Sequence, residues 1–173
     1  MPPSSHLVTA CPSEPGPLLK KVTRRFWSAW SVDGWFIPGF QEEVTGEGLS
    51  RLPEVLEREK PALLILCHGG NDLLRRLDQK QIANNLRAMI RLARERGVAV
   101  VIIAVPSPGI ALSPPPFYRE IAAETKIPCE ENVLTMVLSD GSLKSDYIHP
   151  NAAGYRRLAE LIAALLKKSG AVE

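Results

Sequence analysis

Two short stretches of the 173-residue chain carry side chains whose types and spacing suit chemistry. One is Lys144-Ser145-Asp146-Tyr147-Ile148-His149-Pro150-Asn151. An aspartate three residues before a histidine can fold back and accept the imidazole N–H. That contact fixes the tautomer and stabilises the protonated ring, leaving the other ring nitrogen to act as a base. The other stretch is Leu63-Leu64-Ile65-Leu66-Cys67-His68-Gly69-Gly70-Asn71-Asp72, an apolar run closed by two glycines and followed by an amide and a carboxylate. Taken singly, each has a plainer reading: Gly-Gly-Asn-Asp is ordinary turn composition, and His149 is a surface histidine beside a helix start.

The elements that position these residues follow from the apolar pattern. Thr45 is expected to cap a helix whose apolar face is Leu49, Leu52, Val55 and Leu56. Pro61 follows, then a buried strand over 62–67. Residues 79–96 form the strongest amphipathic helix, with Ile82, Leu86, Met89, Ile90 and Ala93 on one face and Gly97 as its stop. A second buried strand spans 98–105. Ser113 and the three prolines after it open a helix reaching about Thr125, and Ile127-Pro128-Cys129 reads as a short third strand. A short helix over 131–138 precedes the last helix, 151–168. Strands alternating with longer helices make parallel βαβ units, so the expected class is a three-layer α/β domain. In such sheets ligands bind beyond the carboxyl ends of the strands, where Asn71 and Asp72 fall.

Composition narrows the field. The chain is 45% hydrophobic and 23% charged with a formal net charge of +2, and its basic residues are scattered rather than massed, which speaks against a nucleic-acid partner. The three cysteines, Cys11, Cys67 and Cys129, are an odd number whose spacing fits no metal site, and a reducing compartment is the simpler expectation. No apolar run approaches membrane-spanning length and no secretion signal is visible, so a cytoplasmic protein is expected. Residues 1–42 differ from the rest. They hold all three tryptophans and six of the 15 prolines without a sustained period, and are expected to be a poorly ordered segment ahead of one domain over 43–173.

Taken together, Gly69-Gly70-Asn71-Asp72 after a buried strand and Asp146-x-x-His149-Pro150-Asn151 before the last helix resemble the SGNH (GDSL-type) hydrolases. The stretch from Glu43 to Leu52 resembles that family's second block. The resemblance is nearest to the thioesterase/lysophospholipase-like and arylesterase-like branch and covers 43 to about 168. It implies a flavodoxin-like parallel sheet and hydrolysis of a small-molecule acyl ester or thioester through an acyl-enzyme. It further implies Asn71 as an oxyanion-hole donor, Asp146 as the orienting acid and His149 as the general base, with no cofactor.

The chain departs from the pattern at its start. The family's nucleophile lies in a Gly-Asp-Ser-Leu motif after a first apolar strand, and neither is present. The second block's oxyanion glycine belongs where Glu42 stands, with Gly39 displaced from it. Ser4, Ser5, Ser13, Ser28 and Ser31 lie in no strand-to-helix elbow, and Cys11 has neither a positioned base nor a preceding strand, so the nucleophile is unassigned. A non-catalytic SGNH-like binding module is the alternative.

The genetic code adds one observation. In a frame made of the third base of each codon and the first two of the next, Val8, Thr9, Ala10 and Cys11 can spell Gly-Asp-Ser-Leu. In the same frame Gly39, Phe40, Gln41 and Glu42 can spell Gly-Val-Ser-Gly or Gly-Val-Pro-Gly, abutting Glu43-Val44-Thr45. Residues up to about 42 are therefore expected to be an out-of-frame reading of the first block.

Overall fold

The computed structural model describes residues 43–109 and 112–169. Three parallel strands, β1 (Leu63–Leu66), β2 (Ala99–Ile103) and β3 (Cys129–Glu130), lie in the order β1-β2-β3. Leu63 pairs with Ala99 and Leu66 with Ile102 in one ladder; Ile102 pairs with Cys129 in the other.

Side chains alternate across the sheet, and both faces are covered. Leu64, Leu66, Val100, Ile102 and Ala104 meet one layer of helices: α1 (Thr45–Glu59), α3 (Gln79–Glu95) and α4 (Phe117–Thr125). Leu63, Ile65, Ala99, Val101 and Ile103 meet the other, α5 (Val133–Ser139) and α6 (Ala152–Lys168). Two-sided burial is why these strands read as unbroken apolar runs rather than as alternation. The three-layer α/β arrangement expected from the sequence is the one observed.

Local chemistry sets the element ends. Asp78 caps α3 by accepting from Lys80 N–H, and Asn151 caps α6 by accepting from Gly154 N–H. Lys60 and Lys126 take left-handed backbone to close α1 and α4. Two expectations are corrected. The residue preceding α1 is Val44, whose N–H donates to the Glu47 carboxylate, whereas Thr45 is helical and fully buried. Helix α4 begins behind Pro116 rather than at Ser113. A short helix unforeseen in the sequence, α2 (Gly70–Leu74), starts inside the Gly-Gly turn. The expectations on residues 1–42 lie outside the described residues.

Leu86 is fully buried in the layer shared by α1, α3 and α4. Leu86→Ala is expected to lower stability by about 2–5 kcal/mol, the usual range for emptying such a site. Urea denaturation followed by circular dichroism measures it.

Candidate active site

The site lies at the carboxyl ends of β1 and β2. Strand β1 runs out at Leu66, and the chain turns through Gly69, whose φ is +106°, a conformation L side chains rarely adopt. A Cβ there would also press on Tyr118 Oη, which donates to the His68 carbonyl oxygen at 2.7 Å. The turn therefore accepts only glycine. It delivers Asn71 to a cavity of about 510 Å³. One N–H of the Asn71 amide donates to the Glu43 carbonyl oxygen at 2.9 Å, which holds the side chain in place, and an amide has a second N–H to give.

Asp72 is not a cavity residue. It is 2% exposed, and its carboxylate accepts from Thr45 N–H at 2.9 and 3.1 Å and from the Thr45 hydroxyl at 2.6 Å. The Thr45 oxygen in turn accepts from Asn85 Nδ2 at 3.0 Å, and Asn85 Oδ1 accepts from Gln81 at 2.9 Å. Of the two polar residues ending the first stretch, then, one faces the cavity and the other clamps the start of α1 to α2.

The sequence reading passed over a second polar cluster on the same wall. Glu43 accepts from Arg51 Nε on one carboxylate oxygen and from Arg51 Nη2 on the other, each at 2.8 Å, and His68 Nε2 lies 3.4 Å from the second of these oxygens. Hydrogen bonding to Arg51 holds the Glu43 carboxyl below its ordinary value, although burial opposes the shift. His68 Nδ1 accepts from Gly69 N–H at 2.9 Å, which places the ring proton on Nε2, toward Glu43. Gly48 leaves room for that ring, since a Cβ there would strike it. These residues are far apart in sequence and follow no periodic pattern, so only the fold reveals them. Cys67, exposed just beyond β1, also lines the cavity.

The opposite wall carries the second stretch. Asp146 Oδ1 accepts from the backbone N–H groups of Ile148 (2.8 Å) and His149 (2.9 Å), while Oδ2 lies 2.9 Å from His149 Nδ1. The Nδ1 proton is thus fixed on the aspartate side, and Nε2 remains for other work. Bonding to Ile148 N–H and then to the His149 ring lowers the Asp146 carboxyl to about 2. The loop itself is held by Asn151. Its N–H donates to Leu143 O at 2.9 Å, and its side-chain amide donates to Ser142 O at 2.8 Å while capping α6. A Cβ at Gly154 would collide with the Leu143 carbonyl, so the helix packs on the loop only through a glycine.

His149 and Asn71 line the same cavity, with Val105, Leu134 and Leu138 supplying apolar wall. No serine or threonine lines it among the described residues, and among them no group of three or more metal-ligating side chains occurs.

Residues 23–157 match the GDSL-like lipase/acylhydrolase family. The chain belongs to that family. The match begins ahead of Glu43, where the resemblance read from the sequence starts. The chain is 35% identical over 136 residues to a Pseudomonas aeruginosa protein named esterase TesA, an overlap of 72% of this chain and 65% of that one. It is 30% identical over 132 residues to an arylesterase of Vibrio mimicus, covering 73% and 66%. The chain thus spans about two thirds of the length of these relatives. A crystal structure of TesA superposes with a TM-score of 0.62 at 31% identity, over 72% of this chain and 73% of that one. A psychrotrophic esterase, EstA from a Pseudoalteromonas species, shares the fold at 21% identity with a TM-score of 0.65, over 73% of each chain.

Two measurements check the geometry. The Asp146 carboxyl should titrate near pH 2 by carbon-13 NMR, against about 3.9 for a free aspartate. Because its folded value is depressed, its hold on the loop is complete above the ordinary value and is lost as pH falls through about 2. Asp72→Ala should cost about 1–3 kcal/mol for each Thr45 group left buried without a partner, read from the shift in urea midpoint.

Proposed function

We propose that this site hydrolyses carboxylic esters or thioesters through an acyl-enzyme. His149 Nε2 takes the proton of a hydroxyl nucleophile as that oxygen attacks the substrate carbonyl carbon. The Asn71 amide donates to the carbonyl oxygen as it becomes an oxyanion, and Asp146 holds the ring and stabilises its protonated form. His149 then returns the proton to the departing alcohol or thiol, and water repeats the sequence to release the acid. The observation that carries this reading is the Asp146–His149 pair, with Nδ1 committed and the ring on the same cavity as Asn71. The esterase names of the relatives support it. The apolar wall suits an acyl group.

The chain as given is proposed to be impaired, since no hydroxyl nucleophile is assigned among the described residues. In a triad the members act as a unit, and losing the nucleophile costs on the order of a million-fold in turnover. What survives is oxyanion stabilisation and binding, ~10³–10⁴ over water. The same observation favours the second reading, a non-catalytic module that binds acyl compounds in this cavity. Hydrolysis of a chromogenic short-chain ester or acyl-thioester, against a no-enzyme control, distinguishes the two. Very weak turnover above the control is expected. Turnover equal to the control favours the binding module, and robust turnover unchanged by His149→Ala removes the role given to His149.

A further inference from the structure

Among the described residues the sheet ends at β1 on one side. Among the described residues β1 has a single strand neighbour, β2. All five residues of β2 are buried, whereas Leu64 and Ile65 in the middle of β1 are only half-buried and Cys67 just beyond it is exposed. Central parallel strands have a neighbour on each side, and among the described residues β1, apolar along its length, has one on a single side.

Topology says where the next strand belongs. The β1–α3–β2 and β2–α4–β3 connections place α3 and α4 on the same face. Helix α1 packs on that face too, against α3, and leads into β1. Parallel crossovers are right-handed, so a helix on this face connects strands progressing in the same direction. A strand ahead of α1 therefore belongs on the side of β1 away from β2. Its carboxyl end would reach the cavity between Asn71 and His149, which no serine or threonine lines among the described residues.

We infer that codons 1–42 are read out of frame, and that the shifted frame supplies this side of the sheet and the missing serine. This rests on the hydrolytic reading above for the role of that serine, but not for the frame. The shifted frame has strand character in both places that need it. Before Gly-Asp-Ser-Leu, the codons of Pro3, Ser4, Ser5, His6 and Leu7 can give Val or Ile, Val or Ile, Ala, then Leu. Ahead of Gly-Val-Ser-Gly, Gly34 and Trp35 can give Val, and Trp35 with Phe36 can give nothing but Val, because the tryptophan codon ends in G. The first run is apolar up to its glycine, as β1 is up to Gly69; in the second, two valines are followed by Tyr or His and then Ser, Thr or Pro before the glycine. The second run joins Glu43 with one base left over, the third base of codon 42. A single surplus nucleotide there accounts for the whole segment.

The nucleotide sequence tests the frame directly. The third bases of codons 7, 8 and 9 should be G, G and A, and those of codons 38 and 39 should both be G. Any other set overturns the inference and leaves the proposed function standing. The second arm deletes the third base of codon 42 and expresses the shifted frame. Urea unfolding and hydrolysis of 4-nitrophenyl butyrate are then compared with the chain as given. A higher urea midpoint and at least ~10³-fold more turnover, abolished by His149→Ala, are expected. A reframed chain no more stable than the original overturns the inference. Matching bases with higher stability but no turnover uphold the frame and overturn the hydrolytic reading. Robust turnover by the original chain, dependent on His149, shows that the nucleophile comes from elsewhere and overturns the serine assignment.

Discussion

The carboxylate of Asp72 is the contact on which the site wall depends. It is buried, and it takes both the N–H and the hydroxyl of Thr45, residues 27 apart in sequence. A buried carboxylate without donors would be too costly to keep. With them it is a rigid joint between α2, where the Gly-Gly turn ends, and the start of α1. Asn85 and Gln81 extend the joint into α3. Because Thr45 is pinned, Glu43 is placed two residues earlier, and the Glu43 carbonyl is what holds the Asn71 amide. The donor facing the cavity is therefore fixed by a carboxylate that never reaches the cavity.

The two aspartates show how environment, not residue type, assigns the work. Asp72 and Asp146 each accept from backbone N–H groups. Asp72 is sealed under α1, and its partners are wholly structural. Asp146 lies on an exposed loop, and one of its oxygens is turned to an imidazole. Its two backbone bonds stop it from rotating away, so the ring is held by a group that is itself held. Asn151 and Gly154 then tie that loop to α6, one by hydrogen bonds and the other by the absence of a side chain.

Much of this was legible in the sequence because it is local. The apolar runs of β1 and β2, the periodic face of α3 and the Gly-Gly turn all lie within windows where a period or a turn signal can be counted. Asp146 and His149 are three residues apart, a spacing that carries its own geometry. Asp72 was not legible as a clamp, since its partner Thr45 lies on another element and looks like a helix cap in the sequence. Nor was the Glu43–Arg51–His68 cluster, in which a histidine beside two glycines meets a carboxylate 25 residues upstream. Helix α2 is too short for any apolar period to announce it.

The same logic explains why the site is half furnished. A parallel α/β sheet gathers its chemistry at strand ends, so each catalytic part is carried by a different connection. Asn71 follows β1 and His149 precedes α6, on opposite faces of the sheet, and they meet only because both connections open at one end of it. In the proposed hydrolysis a nucleophile between them would come from a further strand end, beside β1. Neither helix layer can provide it without breaking the packing that fixes Asn71 through Thr45 or His149 through Asn151. The open edge of β1 and the unassigned nucleophile are therefore one structural problem, and a strand placed there addresses both.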